Sequence, residues 1–395
     1  MNDREKQLAN LVNTDDHRAV CEEIRAIVTL IFPRFDFAVF ARAWDDIILL
    51  FQGRYPCFRQ SNLKFHDLSH TTSVTLAVAR LMHGAVEAGR TLTEKDVNMG
   101  LISGLMHDTG YIQSEDDTEG TGAKYTLIHV DRSISFLKEY YRNDPLFKED
   151  LPAFQDILHC TGLNNKVTEI HFGNETVALL GKILGTADLL GQMSERYYLE
   201  RLLDLYNEYV EGGITTFTSQ LDLLDKTRGF YEMTRRRFTE ELGDVYRFSR
   251  HHFRKRWGID EDLYIQAIEN NITYLDRVLT HPFHDAVIVA VRKVVFILRD
   301  RDVDGLVIFL LLDRALGELP PPFIHPMRRT FRIRCGEVLL NSFDVRTTAN
   351  LLNDRSGERF ITHGGKLIHD YHGRLEPLDT GLQHLSVLDR DKHHL

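Results

Sequence analysis

The chain holds 395 residues, 43% of them hydrophobic, with 48 Lys and Arg against 58 Asp and Glu for a net charge of −10. That is an ordinary globular composition, at a length a single core does not usually fill, and its acidic balance argues against a protein that mainly grips phosphate backbones. No run approaches the roughly 18 apolar residues needed to span a bilayer, the start MNDREKQLANLV lacks a basic-then-apolar leader pattern, and Cys21, Cys57, Cys160 and Cys335 stand apart from any CxxC or disulfide framework, so a soluble, cytoplasmic protein without membrane or nucleic-acid partners is expected.

Residues 1–29 read as an N-terminal helical segment, and from Asp15 to about Leu279 apolar residues recur at helical spacing, as in Val74, Val78, Leu81 and Ala85, or Leu199, Leu202, Leu203 and Tyr206. Gly89 closes one helix, Thr93-x-x-Asp96 has the form of a capping box opening the next, and Gly110 follows that one. Gly181 and Gly185 each cost about 1 kcal/mol inside a helix, which close helix–helix approach would offset. Residues 216–280 continue as a helical extension in which Arg235-Arg236-Arg237 reads as a solvated face and His251-His252 as an exposed basic helix end.

After Thr280-His281-Pro282 the character changes. DAVIVAVRKVVFIL and LVIFLLL are short apolar or β-branched runs, Leu319-Pro320-Pro321-Pro322 interrupts any helix, and ERFITHGGKLIHDYHG has the pattern of two strands joined by Gly-Gly. Residues 281–395 are therefore expected to form a smaller C-terminal accessory α+β domain.

The helical part carries the chemistry-bearing residues: His66 and His70 in KFHDLSHTTSV, His107-Asp108 in GLMHDTGY, His129 in LIHVDRS, His159 in ILHCTGL, and Asp188 in LGTADLLGQ. Imidazole and carboxylate together suit a divalent cation such as Mn, Fe, Mg or Zn, and without paired Cys a structural zinc cage is not expected. An adjacent His and Asp behind an apolar helix face is costly to bury without a cation or hydrogen-bond partner.

The order His70, His107-Asp108, Asp188 resembles the HD superfamily of metal-dependent phosphohydrolases, over roughly residues 30–210. The resemblance implies a mostly α HD-domain helical bundle over 30–215, one or two divalent metal ions, and a first metal site of His70, His107, Asp108 and Asp188. It also implies that His129 and His159 serve a second ion. Phe65 to His70 is similar to the YHNxxH element of cyclic-nucleotide phosphodiesterases, which implies that His66 acts as the acid protonating the leaving oxygen, with Asp108 also in the catalytic set.

The match has departures. His107-Asp108 is followed by Thr109-Gly110-Tyr111, without the His that the phosphodiesterases place three residues after the Asp and with Tyr111 where the cyclic-di-nucleotide branch has Lys. The expected activity is hydrolysis of a nucleotide-type phosphoester, a small molecule, through a metal-activated water. Two other readings stay open, a nucleotide-sensing module without turnover and a di-iron oxygenase-type protein, as does formation of a homodimer. Arg132 and Lys166, near His129 and His159, are further candidates for phosphate contacts.

Overall fold

The structure, a computed structural model, describes residues 7–162 and 165–280 together with four short strands beyond them. The chain divides into two compact units, Met1–Thr280 and His281–Leu395. The described part of the first is mostly helical. Its helices are α1 (Leu8–Leu11), α2 (His17–Ile31), α3 (Ala38–Phe51), α4 (Leu68–Glu87), α5 (Glu94–Met106) and α6 (His129–Tyr141), followed by α7 (Leu151–His159), α8 (Glu175–Met193), α9 (Tyr198–Glu211), α10 (Gln220–Glu240), α11 (Phe248–Trp257) and α12 (Leu263–Thr280).

Helix α4 is the axis of this unit. Its residues from His70 to Ala85 are buried nearly without interruption, polar ones such as Arg80 and His83 included, and α2, α5, α8 and α11 pack around it. The extension 216–280 thus shares a core with the preceding helices, since Phe253 of α11 and Ile268, Ile272 and Leu275 of α12 belong to the same buried cluster as Val74, Val78 and Leu81. Each such side chain contributes roughly 1.5–3 kcal/mol on burial.

Local chemistry sets the helix starts. The Thr93 hydroxyl accepts from Asp96 N–H at 3.2 Å while the Asp96 carboxylate accepts from Thr93 N–H at 2.8 Å, the reciprocal cap expected for α5. Gly181 and Gly185 lie where α8 meets the end of α7: a Cβ at Gly185 would come within 2.4 Å of the Cys160 carbonyl oxygen, and one at Gly181 within 2.7 Å of Cys160 Sγ. Close approach is therefore the compensation for two glycines in one helix.

Two expectations are corrected. His252 is not on an exposed helix end but fully buried, its Nδ1 3.1 Å from Nδ1 of buried His83 on α4, because α11 turns that face into the core. Within the arginine run, Arg235 and Arg236 are exposed, but Arg237 is buried and donates to the carbonyls of Cys160 at 2.9 Å and Gly162 at 3.0 Å. It serves a chain end left without helical partners beyond α7.

In the second unit, β1 (Ile333–Cys335) pairs antiparallel with β2 (Val338–Leu340), and β3 (Arg359–His363) with β4 (Lys366–Asp370). The β3–β4 register sets His363 opposite Lys366, leaving Gly364-Gly365 between them as the sequence pattern requires. The other features expected for an α+β tail, including the runs DAVIVAVRKVVFIL and LVIFLLL, lie outside the described residues. Among the described residues no helix is long and apolar enough to cross a membrane, and Cys21, Cys57 and Cys160 are free thiols.

Candidate metal centre

Four elements of the first unit bring their His and Asp side chains together. Asp67 caps α4, its carboxylate accepting the His70 N–H at 2.8 Å, which places His70 in the first turn of that buried helix. Helix α5 ends at Met106, so His107 and Asp108 stand at its C-terminus before a single 3₁₀ turn, Thr109–Tyr111. Asp188 projects from the middle of α8, and His129 is the first residue of α6.

Distances define the cluster. Nε2 of His70 lies 3.4 Å from Asp108 Oδ2 and 3.3 Å from Asp188 Oδ1; Nε2 of His107 lies 3.2 Å and 3.7 Å from the same two oxygens. One donor atom from each of His70, His107 and Asp108 falls within 4.8 Å of the others, a spacing that can hold a single ion. The other oxygen of Asp108, Oδ1, faces His129 Nε2 at 3.8 Å. Asp108 therefore presents its two oxygens to two different sets of imidazoles.

The tautomers follow from the partners. A carbonyl only accepts, so His107 Nδ1, 2.9 Å from Gly104 O, carries the proton, as does His129 Nδ1, 2.7 Å from Thr126 O. In a metal-bound site both rings would be neutral, each Nε2 offering a lone pair on the side of Asp108. Nε2 of His107 and Oδ2 of Asp108 are buried with no hydrogen-bond partner. Orphaned buried atoms of this kind are costly, and a divalent cation satisfies such a donor set. The residues fit a divalent metal ion.

Electrostatics point the same way. Burial alone would lower the His70 pKa, but Asp108 and Asp188 together push it up to about 10. His107 is raised in the same manner, burial being overcome chiefly by Asp108. Burial would raise Asp108, yet the charge of the adjacent His107, and then the closeness of His70, hold it well below the usual carboxylate range. His129 is lowered, principally by burial. His107 and Asp108 are closed off, while Asp188, His129 and His66 keep 21%, 21% and 15% of their side-chain surface, so the site opens on their side.

His66 stands before α4, its ring centroid 5.8 Å from that of His70. Its Nδ1 lies 2.7 Å from Glu208 Oε2 on α9, and Glu208 Oε1 accepts the backbone N–H of Lys64 and Phe65 at 2.9 and 2.7 Å. The Tyr111 ring stacks on both His66 and His129, with centroids at 4.5 and 4.4 Å. At Gly110 a Cβ would meet the His129 carbonyl oxygen at 1.9 Å, so only glycine lets the start of α6 come this close to the His107-Asp108 turn.

The other candidates are placed differently. His159, last residue of α7, has its Nε2 3.5 Å from Asp131 Oδ1 and is outside ion-pairing distance of Asp108. Arg132 gives Nε to Gly110 O at 2.7 Å and Nη2 to Ile112 O at 3.0 Å and stacks on Tyr125, so it fixes the turn after Asp108 instead of offering a free phosphate contact. Lys166 pairs with Glu169 at the surface. Sequence reasoning missed Glu208: in LYNEYVEGG it has the spacing of any helix-surface glutamate, and no local signal marks its burial.

The family described as Npun_R2479-like matches residues 115–242, about a third of the chain, a stretch that holds His129, His159, Asp188 and Glu208 but not His70 or His107-Asp108. No curated protein matches the chain.

Proposed function

We propose that the helical unit is a metal-dependent phosphohydrolase acting on a nucleotide-type phosphoester, the reading that its resemblance to HD-superfamily enzymes implies. The observation that carries it is the Asp108 carboxylate shared between His70 and His107 on one side and His129 on the other, with His66 beside it held by Glu208. His70, His107, Asp108 and Asp188 would hold the ion, and His129 with the second Asp108 oxygen begins a site for another. A divalent cation bound there supplies a water of lowered pKa and offsets negative charge on phosphoryl oxygens.

The chain's own part is to orient and to move a proton. Glu208 accepts the Nδ1 proton of His66, which turns the ring and leaves Nε2 as the atom that gives a proton to the departing oxygen. Stacking on Tyr111 restrains the same ring, and the buried Phe65 ring packs beside both His66 and His70.

Metal analysis of protein purified without chelators, followed by a panel of phosphomonoesters and phosphodiesters, tests the reading. Asp108→Ala is expected to lose metal and turnover together. His66→Ala is expected to keep the metal and slow hydrolysis of alkyl esters by about 10²–10⁴-fold, with a smaller loss for nitrophenyl esters whose leaving group needs no proton. A metal-loaded protein that cleaves none of the panel overturns the proposal.

A further inference from the structure

Helix α9 presents two charged residues, Arg201 and Glu208, seven positions apart and so on one face, to the segment that leads into α4. Glu208 takes the N–H groups of Lys64 and Phe65 and the His66 ring. Arg201, only 5% exposed, grips the same segment from its other side. Its Nη2 donates to the Phe65 carbonyl and lies 3.1 Å from Asp67 Oδ1, while its guanidinium carbon stands 5.5 Å from the Phe65 ring centroid. On the side away from the segment, Nε is 3.2 Å from Glu195 Oε2.

This arrangement bears on His66 because His66 has no helix of its own. It precedes Asp67, the cap, and Leu68, the first residue of α4, so the ladder that fixes His70 does not reach it. The residues on either side of His66 are both in the grip of Arg201, Phe65 through its carbonyl and Asp67 through its carboxylate. Both acceptors are reached from Nη2 while Nε faces Glu195, so the planar guanidinium spans the segment and Glu195 at once, which a single lysine ammonium does not. A buried guanidinium costs several kcal/mol unless it is fully paired. Here Nη2 is directed at the turn that carries the proposed acid, and Nε at Glu195.

We propose that Arg201 is a positioning residue for His66: by holding Phe65 O and Asp67 it fixes the ring where Glu208 can accept the Nδ1 proton. The inference rests on the reading of His66 as the acid for its importance, but its geometry is open to a separate measurement. A buried imidazole N–H donated to a carboxylate at 2.7 Å gives a slowly exchanging, far-downfield proton resonance, which His66→Gln identifies by removing it.

In the full chain, Arg201→Met is expected to abolish or broaden that resonance and to leave Mn²⁺ affinity within about threefold, since His70 is anchored by α4. Hydrolysis of an alkyl phosphodiester should fall about 10–100-fold, and of a nitrophenyl diester much less. Arg201→Lys, which keeps the charge but not the fork, should fall between wild type and Arg201→Met. Should Arg201→Met fail to fold, Asp67→Asn answers the same question: the single oxygen Oδ1 both caps His70 and meets Arg201, and asparagine keeps that acceptor while removing the charge that attracts the guanidinium, so the resonance should weaken in the same direction.

Leu205→Ala, a cavity on the same helix, controls for stability alone and should leave the resonance in place. A resonance unchanged in Arg201→Met and Asp67→Asn overturns the proposal, as does its loss in Leu205→Ala or its absence from the wild type. If it depends on Arg201 while no phosphoester is cleaved, the positioning role stands and the phosphohydrolase reading fails.

Discussion

Metal uptake should be a proton exchange, and its size follows from His70. Its ring is held protonated by Asp108 and Asp188 with a pKa of about 10, so near neutral pH a cation must displace a proton before it can take Nε2. Below that pKa, each unit of pH changes the competing proton concentration tenfold, and the apparent affinity for Mn²⁺ or Zn²⁺ should tighten by about 100-fold between roughly pH 6.5 and pH 8.5. Calorimetric titrations in buffers of different ionisation enthalpy should show at least one proton released per ion.

Stability in the presence of a chelator has the opposite slope. Because the folded pKa lies above the unfolded value of 6.5, the contribution of His70 is complete below about pH 6.5 and is lost as pH rises toward about 10, at about 1.4 kcal/mol per pH unit within that window. His107, also raised, adds in the same direction. With saturating metal the two slopes cancel, because each pH unit tightens binding by as much as it weakens the apo fold, so melting temperature should be nearly flat over this range. Zero proton release, or pH profiles that run parallel with and without metal, would refute the reasoning, and His70→Ala should reduce the slope seen with chelator.

The buried pair His83 and His252 predicts acid sensitivity, since burial is the main cause lowering both pKa values. The stability from keeping them neutral is present above about pH 6.5 and is lost as pH falls toward their depressed folded values; His252→Gln should cost about 1–2 kcal/mol at pH 7.5 and reduce the decline seen by denaturant titration toward pH 5, and an undiminished decline would assign it to other groups. Gly110→Ala should destabilise by about 1–3 kcal/mol or more, because the new methyl meets a backbone carbonyl that cannot rotate away, and should weaken binding of a second Mn²⁺ more than the first by displacing His129; unchanged melting would show that α6 can shift freely.

Much of this protein was legible from residue order alone. The capping box at Thr93 and Asp96, the buried stripe of α4, the pairing pattern around Gly364-Gly365, and the His and Asp types suited to a cation depend on neighbours within a few positions, where backbone geometry leaves few choices. What only the tertiary structure decided is which charged residues are withdrawn from water. Arg237 and His252 read locally as helix surface, and nothing in the spacing of Arg201 or Glu208 marks them as buried. Whether a charge can be buried depends on the partner that meets it: His66 for Glu208, Phe65 O and Asp67 for Arg201, the Cys160 carbonyl for Arg237. Those partners lie 77 to 142 positions away for Arg237, Arg201 and Glu208. Desolvation is compensated across space, by contacts that no periodicity along the chain records.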